Sequence, residues 1–128
     1  MNKSVLITLK IVVAIILLQT LFFKFSGAQE SIDLFTKIAG ENETAMRIGT
    51  GILELIASLL LFAPKKTWLG ALLTLGLMSG AIISHLTILG IVQNNDHGAL
   101  FASALIALIA AVLLLIASKK ELPFLSEK

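Results

Sequence analysis

Three side chains that can exchange protons or hydrogen bonds lie inside long apolar stretches of the chain. Glu54 follows Arg47 by seven residues. Gln19 precedes Lys24 by five residues, and His85 lies seven residues before the end of its own apolar run. On helices rising 1.5 Å per residue, Glu54 and His85 lie about 10 Å, and Gln19 about 7–8 Å, below the outer surface of a membrane. The matched depths predict that the three side chains converge in its outer half.

Two interpretations of this cluster are open. In the functional one, the three side chains line a pocket or proton path that opens to the outer side, with Glu54 and His85 as the catalytic candidates. In the structural one, they hydrogen-bond one another and hold the helices together, at about 0.6–2 kcal/mol for each contact. Ionisable side chains within a membrane are costly and are functional by default, which favours the first interpretation.

Several classes of chemistry are excluded by composition. The chain has no cysteine, which excludes dithiol–disulfide exchange, iron–sulfur clusters and thiolate zinc sites. Its second histidine, His97, lies about 10 Å above His85 by the same helical rise, so a bis-histidine haem is not expected. We predict no metal site, and the net charge of +2 is too small to indicate nucleic-acid binding.

The elements that must position these residues are membrane-spanning helices. Of the 128 residues, 57% are hydrophobic and 14% are charged, whereas a soluble domain carries roughly a quarter charged residues. Four apolar runs, at about residues 4–23, 44–62, 67–92 and 98–118, each suffice to cross a hydrocarbon core of about 30 Å. Lipid requires the backbone to satisfy its own hydrogen bonds, so the runs are helices. We predict an all-α fold, in which residues 1–128 form one antiparallel four-helix membrane bundle.

The distribution of lysine and arginine predicts the orientation of the bundle. One side collects seven cations: Lys3, Lys10, Lys65, Lys66, Lys119, Lys120 and Lys128. The other side has only Lys24, Lys37 and Arg47. Both termini are therefore expected in the cytoplasm. The first run also resembles a secretory signal, but it extends to Phe23, beyond the usual 7–15 apolar residues, so we expect it to be retained.

The long outer connection and the third span each carry a further pattern. Ile32, Phe35 and Ile38 recur at helical spacing, which is typical of a short amphipathic helix on the outer membrane surface, although an irregular loop is equally compatible. Gly76 and Gly80 form a small-residue face that favours close packing of helices over a ligand cradle. The same face offers a surface for homo-oligomers.

The residues also resemble a known family. Residues 19–27, residues 47–54, and His85 after a Gly/Ala-rich third span are similar to the DoxX-like family of small four-helix membrane proteins, over about residues 10–118. The resemblance implies a bundle in the bacterial inner membrane. Members that gave the family its name are subunits of a thiosulfate:quinone oxidoreductase, others are linked to redox complexes, and distant animal relatives act as assembly chaperones for receptors. Because one fold hosts several functions, the resemblance does not establish a reaction.

Two functional hypotheses follow from the cluster and the resemblance together. In the first, the chain is a subunit or accessory of a quinone-linked redox system. The quinone site would then comprise Gln19, Lys24, Arg47, Gly51, Glu54 and His85. His85 would donate a hydrogen bond to a quinone oxygen, and Glu54 would relay a proton from the outer side while Arg47 moderates its charge.

In the second hypothesis, the chain is a non-catalytic assembly or interaction factor. The polar cluster then only holds the bundle together, and the outer amphipathic segment docks a membrane or periplasmic protein. Transport of protons or small solutes is a weaker third interpretation, since the four apolar runs show no evident repeat pair and no evident broken helix. Whether the chain is itself an enzyme stays open at this point.

Overall fold

The computed structural model of the protein describes residues 2–92 and 98–118, and all regular structure in them is helical. In chain order the α-helices are α1 (Lys3–Gln19), α2 (Leu21–Ser26), α3 (Gln29–Ala39), α4 (Glu43–Phe62), α5 (Thr67–Ser84) and α6 (Ala99–Ala117). Four helical segments are long and apolar enough to cross a membrane: Lys3–Ser26, Gln29–Phe62, Thr67–Leu89 and Ala99–Ala117. The predicted all-α fold with four spans is confirmed.

The first span is interrupted near its end. Asn2 caps α1 by accepting a hydrogen bond from the Val5 amide at 2.9 Å. The helix breaks at Thr20, and α2 continues to Ser26, three residues beyond the predicted limit at Phe23. Gly27 then ends α2 in the left-handed conformation, with φ 71°, which glycine adopts without steric cost.

The third span ends earlier than predicted, and its last turn is a π-helix, which is wider than an α-helical turn. After α5 the chain forms a π-helical turn, His85–Leu89, and Gly90 follows with φ 83°. The predicted limit at Val92 is therefore wrong by three residues. Residues 93–97 of the connection to α6, which include Asp96 and His97, lie outside the described residues, as do the lysines after Ser118.

The turn between α4 and α5 makes them antiparallel neighbours. The Lys66 amide donates to the Ala63 carbonyl at 3.1 Å, with Pro64 and then Lys65 at φ 60° between them. Proline followed by a positive φ is the pattern of a type II turn. We call this end of the bundle the Pro64 end, and the end that carries α2 and α3 the α3 end.

The helices contact one another in the cyclic order α1, α4, α5, α6. The residues buried between them are mostly aliphatic, with Val13, Leu17, Ala57, Leu61, Ala107 and Leu114 as the centre of the core. Near the Pro64 end, α4 and α5 come very close. A Cβ atom added to Gly70 would lie 2.7 Å from the Leu61 nitrogen and 2.9 Å from the Ala57 oxygen.

The glycines further along α5 behave differently. A Cβ atom added at Gly76 or at Gly80 would meet no atom within 4 Å, and both residues are exposed. Among the described residues this face therefore does not pack against another helix of the chain, and its use as a surface for a second copy stays a prediction. Both glycines instead border a cavity whose wall also includes residues of α4.

The amphipathic segment between the first two spans is a helix, as the apolar spacing predicts, and not an irregular loop. Helix α3 is joined to α4 by a single 3₁₀ turn, Gly40–Asn42. Phe35 is buried, and α3 contacts both α4 and the π-helical turn. Its apolar face is therefore turned toward the bundle, over which α3 forms a roof.

Candidate functional site

A cavity of about 610 Å³ lies under α3 and is lined by residues from all six helices. Most of its wall is apolar, with side chains such as Ile16, Phe23, Leu34, Phe35, Ile38 and Leu77. Four of the residues singled out in the sequence also line it: Gln19, Lys24, Glu54 and His85. Arg47 and Gly51, the other two predicted ligand-binding residues, are not among the residues of the wall.

Glu54 is held in the cavity wall by an ion pair with Lys24. The Lys24 Nζ lies 2.5 Å from Glu54 Oε1 and 2.8 Å from the Thr20 hydroxyl. The side chains are only 12% and 5% exposed for Lys24 and Glu54 respectively. Removing two charges from water is costly, and this close contact with an added hydroxyl is what offsets the cost. The pair carries no net charge.

Arg47 is bound elsewhere. Its Nε donates to Glu43 Oε2 at 3.0 Å, and one terminal nitrogen donates to the Lys24 carbonyl oxygen. The prediction that Arg47 moderates the charge of Glu54 finds no support in these contacts. Arg47 instead binds the backbone of α2 at the residue whose side chain reaches Glu54, so it positions Lys24.

Gly51 also acts on α2. A Cβ atom added there would lie 2.7 Å from Cε1 of the Phe25 ring. Because Gly51 has no side chain, the Phe25 ring of α2 can pack directly against the backbone of α4. Arg47 and Gly51 together place α2 so that Lys24 points into the bundle.

His85 begins the π-helical turn and is 4% exposed. Its Nδ1 lies 2.9 Å from the Gly90 carbonyl oxygen, and the Gly90 amide donates to the His85 carbonyl at 2.8 Å. A carbonyl oxygen can only accept, so Nδ1 carries the hydrogen. In the neutral ring Nε2 is then an acceptor, and it has no hydrogen-bond partner among the described residues. The ring also packs edge-on against Phe101, with 5.6 Å between centroids.

Three hydroxyl groups of the cavity wall are, like His85 Nε2, available to hydrogen-bond a bound molecule. In the membrane spans several hydroxyls donate to the carbonyl four residues earlier at 2.7–2.9 Å, as in Ser58, Thr74 and Thr87. Thr50, Ser84 and Ser103, which line the cavity, make no hydrogen bond to a described residue. A bound molecule can therefore use them without first breaking a protein contact.

Gln19, Glu54 and His85 do not hydrogen-bond one another. Gln19 is exposed where it lines the cavity, Glu54 binds Lys24, and His85 binds Gly90. The structural interpretation in its original form is therefore wrong for these three residues. The contact that does tie two helices together is the ion pair between α2 and α4.

Two features of the site were missed by sequence reasoning. The sequence indicates Lys24 as a site residue but does not indicate that it pairs with Glu54, from which it is separated by 30 positions. Thr50 was not recognised, although it lies four residues before Glu54 and hence on the same helix face, which was a usable signal. No group of three or more metal-ligating side chains occurs in the described part of the chain.

Comparison with models of protein families shows which family the chain belongs to. A family model described as DoxX matches residues 5–87, which is more than half of the chain. The chain belongs to the DoxX family. No curated protein and no solved structure gave a match. In this DoxX protein the matched region contains Lys24, Glu54 and His85, whereas α6 lies outside it.

Proposed function

We propose that this DoxX protein binds the head group of a membrane quinone in the cavity, as a subunit or accessory of a quinone-linked redox system. The observation that carries the proposal is the combination of a largely apolar wall with the Nε2 atom of a buried histidine, which has no partner among the described residues. Cavities of a few hundred Å³ that are apolar with a small number of polar groups are typical of small-molecule sites.

The polar groups of the wall fit a quinone in a specific way. A quinone supplies two ring oxygens, which are carbonyls in its oxidised form and hydroxyls in its reduced form. Because Nδ1 of His85 is bound to Gly90, Nε2 accepts a hydroxyl hydrogen and cannot donate to a carbonyl while the ring is neutral. This reverses the hydrogen-bond role expected of His85 from the sequence and favours binding of the reduced form.

Two carboxylates in the cavity wall support a route by which protons pass between a bound ligand and the α3 end of the bundle. Glu54 is buried, whereas Glu30 lines the same cavity and is exposed. Glu54 and Lys24 are bound to each other, so the buried part of this route is electrically neutral. Electrons would be exchanged with a partner, since thiol chemistry is excluded by the sequence.

The test is direct binding of a quinol to the purified protein in lipid nanodiscs. We expect His85→Ala and Glu54→Gln to abolish binding, and Ser103→Ala to weaken it by roughly threefold to tenfold, because one hydrogen bond is lost. Ser79→Ala is the matched control, since Ser79 lies outside the cavity and its hydroxyl makes no hydrogen bond to a described residue. Equal binding by wild-type protein and His85→Ala would overturn the proposal.

A second candidate function is supported by the ion pair itself. Lys24 and Glu54 join α2 to α4, as a purely structural clasp would. In that case the chain is a non-catalytic assembly factor, and the polar side of α3 binds a membrane or periplasmic protein. A lipid extract without quinone, together with co-purification of one defined partner, would favour this function over the first.

We also propose that the protein lies in the bacterial inner membrane with both termini in the cytoplasm. Among the described residues, the Pro64 end carries Lys3, Lys10, Lys65 and Lys66 and no acidic residue. The α3 end carries three cations, two of which, Lys24 and Arg47, are bound to carboxylates. This asymmetry supports a cytoplasmic Pro64 end under the positive-inside rule.

A further inference from the structure

We infer that the ligand enters the cavity sideways from the bilayer, between α4 and α5, and that a leucine groove outside these helices holds its hydrocarbon tail. This inference rests on the proposed function and specifies its ligand. The ligand is a neutral amphiphile, whose head lies among the polar groups of the cavity and whose tail stays in the lipid-facing groove.

The opening lies beside α4, on the face of α5 that carries Gly76 and Gly80. At Gly70 the two backbones are so close that a Cβ atom would overlap both Leu61 and Ala57. Two and three turns further along α5, Gly76 and Gly80 line the cavity, are exposed, and have open space where a side chain would begin. On the α4 side the cavity is lined by Met46, which is 45% exposed. The cavity is therefore open toward lipid along the glycine face.

A second concavity continues from this opening. The leucine groove has a volume of about 500 Å³ and is lined by Leu60, Leu69, Leu72, Leu73, Gly76 and Leu77. Gly76 and Leu77 also line the cavity, so the two spaces meet at these residues. From Gly76 to Leu69 the groove extends about 10 Å along α5 toward the Pro64 end, at 1.5 Å per residue.

The chemistry of the two spaces identifies the occupant. The groove is lined by aliphatic side chains and glycine, which suits a hydrocarbon tail and offers nothing to a polar group. In the cavity, Lys24 is bound to Glu54, so no free cation of this pair is left for a phosphate or carboxylate head group. His85 Nε2 and the hydroxyls of Ser84 and Ser103 instead suit a neutral hydroxyl-bearing head. Because the cavity and the leucine groove meet at Gly76, one molecule can place its head group in the cavity and its tail in the groove.

The test compares two quinols, one without a tail and one with a decyl tail, in nanodiscs containing wild-type or variant protein. In Gly76→Leu the new side chain occupies the junction of groove and cavity. Gly49→Leu is the matched control, because Gly49 lies on α4 outside both concavities and a Cβ atom there also meets nothing within 4 Å. Neither substitution places its first side-chain atom against another residue, so both variants are expected to fold.

We expect Gly76→Leu to lower the affinity for the tailed quinol about tenfold more than the affinity for the tailless quinol, because the new side chain overlaps the path of the tail. Gly49→Leu should bind both compounds as the wild-type protein does. Unchanged binding of the tailed quinol by Gly76→Leu, or equal loss of both compounds, overturns the lateral tail site but not the proposed function. If wild-type protein binds neither compound, the proposed function fails, and this inference fails with it.

Native mass spectrometry of the same samples distinguishes the quinol from two other possible occupants of the groove, a second copy of the chain and a phospholipid. A wild-type dimer that dissociates in Gly76→Leu would assign the glycine face to a second copy of the chain. A phospholipid retained by the wild-type protein and lost in the variant would assign the groove to an acyl chain. Either result overturns the inference. A monomer that retains a quinol supports it.

Discussion

At the scale of single residues, Lys24 joins more of the site than any other side chain described above. Its ammonium group binds Glu54 and Thr20, while its backbone carbonyl accepts a hydrogen bond from Arg47. Helix α2 is thus fixed to α4 through both the side chain and the backbone of one residue. Substitution of Lys24 should lower stability, because it removes the ion pair with Glu54, and should also alter ligand binding, because Lys24 lines the cavity.

The ion pair can be tested by a double-mutant cycle. Lys24→Met leaves a buried carboxylate without a partner, and we expect it to lower the free energy of unfolding by about 3–5 kcal/mol. Combining it with Glu54→Leu removes both charges and should restore most of that loss. Unfolding in detergent can be followed by the fluorescence of Trp68, the only tryptophan in the chain.

Lys37→Met is the control for this cycle, because Lys37 is exposed and should change stability little. If Lys24→Met proves as stable as the wild-type protein, the pair does not hold α2. If the double variant is stable but no longer binds quinol, the pair serves binding and not only structure.

The sequence identifies Glu54 and His85 as unusual because burying an ionisable group in lipid is costly whatever surrounds it. It does not identify their partners. Lys24 follows a helix break at Thr20, and a break of this kind changes the direction of a side chain without changing the hydropathy of the run. The tautomer of His85 likewise depends on the π-helical turn that brings the Gly90 carbonyl to Nδ1.

At the scale of elements, the relation between α4 and α5 decides the shape of the site. The two backbones are close at Gly70, whereas a Cβ atom added at Gly76 or Gly80 would meet no atom within 4 Å. Gly76 and Gly80 follow Gly70 by six and ten residues, which places them about 80–120° away from it around the helix. The sequence therefore puts them on another face of α5, but whether that face packs against a helix or borders a cavity depends on the packing of the whole bundle.

Matched substitutions distinguish the two kinds of glycine. Gly70→Ala adds a methyl group against the α4 backbone and should destabilise the protein by about 1–3 kcal/mol. Gly76→Ala adds the same group in open space and should be neutral or stabilising by up to about 1 kcal/mol, because alanine is the better helix former. Thermal unfolding of both variants in the same detergent provides the measurement. The reverse order of stability would contradict the packing described for α4 and α5.

At the scale of the whole molecule, the four spans follow from sequence because each helix satisfies its own backbone within lipid and needs only sufficient apolar length. The cyclic order of the helices and the roof formed by α3 depend on contacts between elements, which the apolar runs do not encode. An even number of crossings places Lys3 and Ser118 at the same end of the bundle. Which side of the membrane this end faces is a prediction from charge.

The absence of native cysteine makes that prediction simple to test. Asn2→Cys and Glu41→Cys place single thiols at exposed positions at the Pro64 end and the α3 end respectively. In intact spheroplasts, a membrane-impermeant maleimide should label Glu41→Cys, whereas Asn2→Cys should react only after the membrane is disrupted. Labelling of Asn2→Cys alone in intact spheroplasts would show the opposite orientation.

The paired hydrogen bonds between His85 and Gly90 make the imidazole ring a spectroscopic reporter. In the neutral ring, Nδ1 holds the hydrogen, and the two nitrogens should give separate nitrogen-15 resonances, one of pyrrole type and one of pyridine type. A hydroxyl that binds Nε2 would move the second resonance and leave the first nearly in place. A quinol in the cavity could thus be observed at one nucleus without any enzymatic assay.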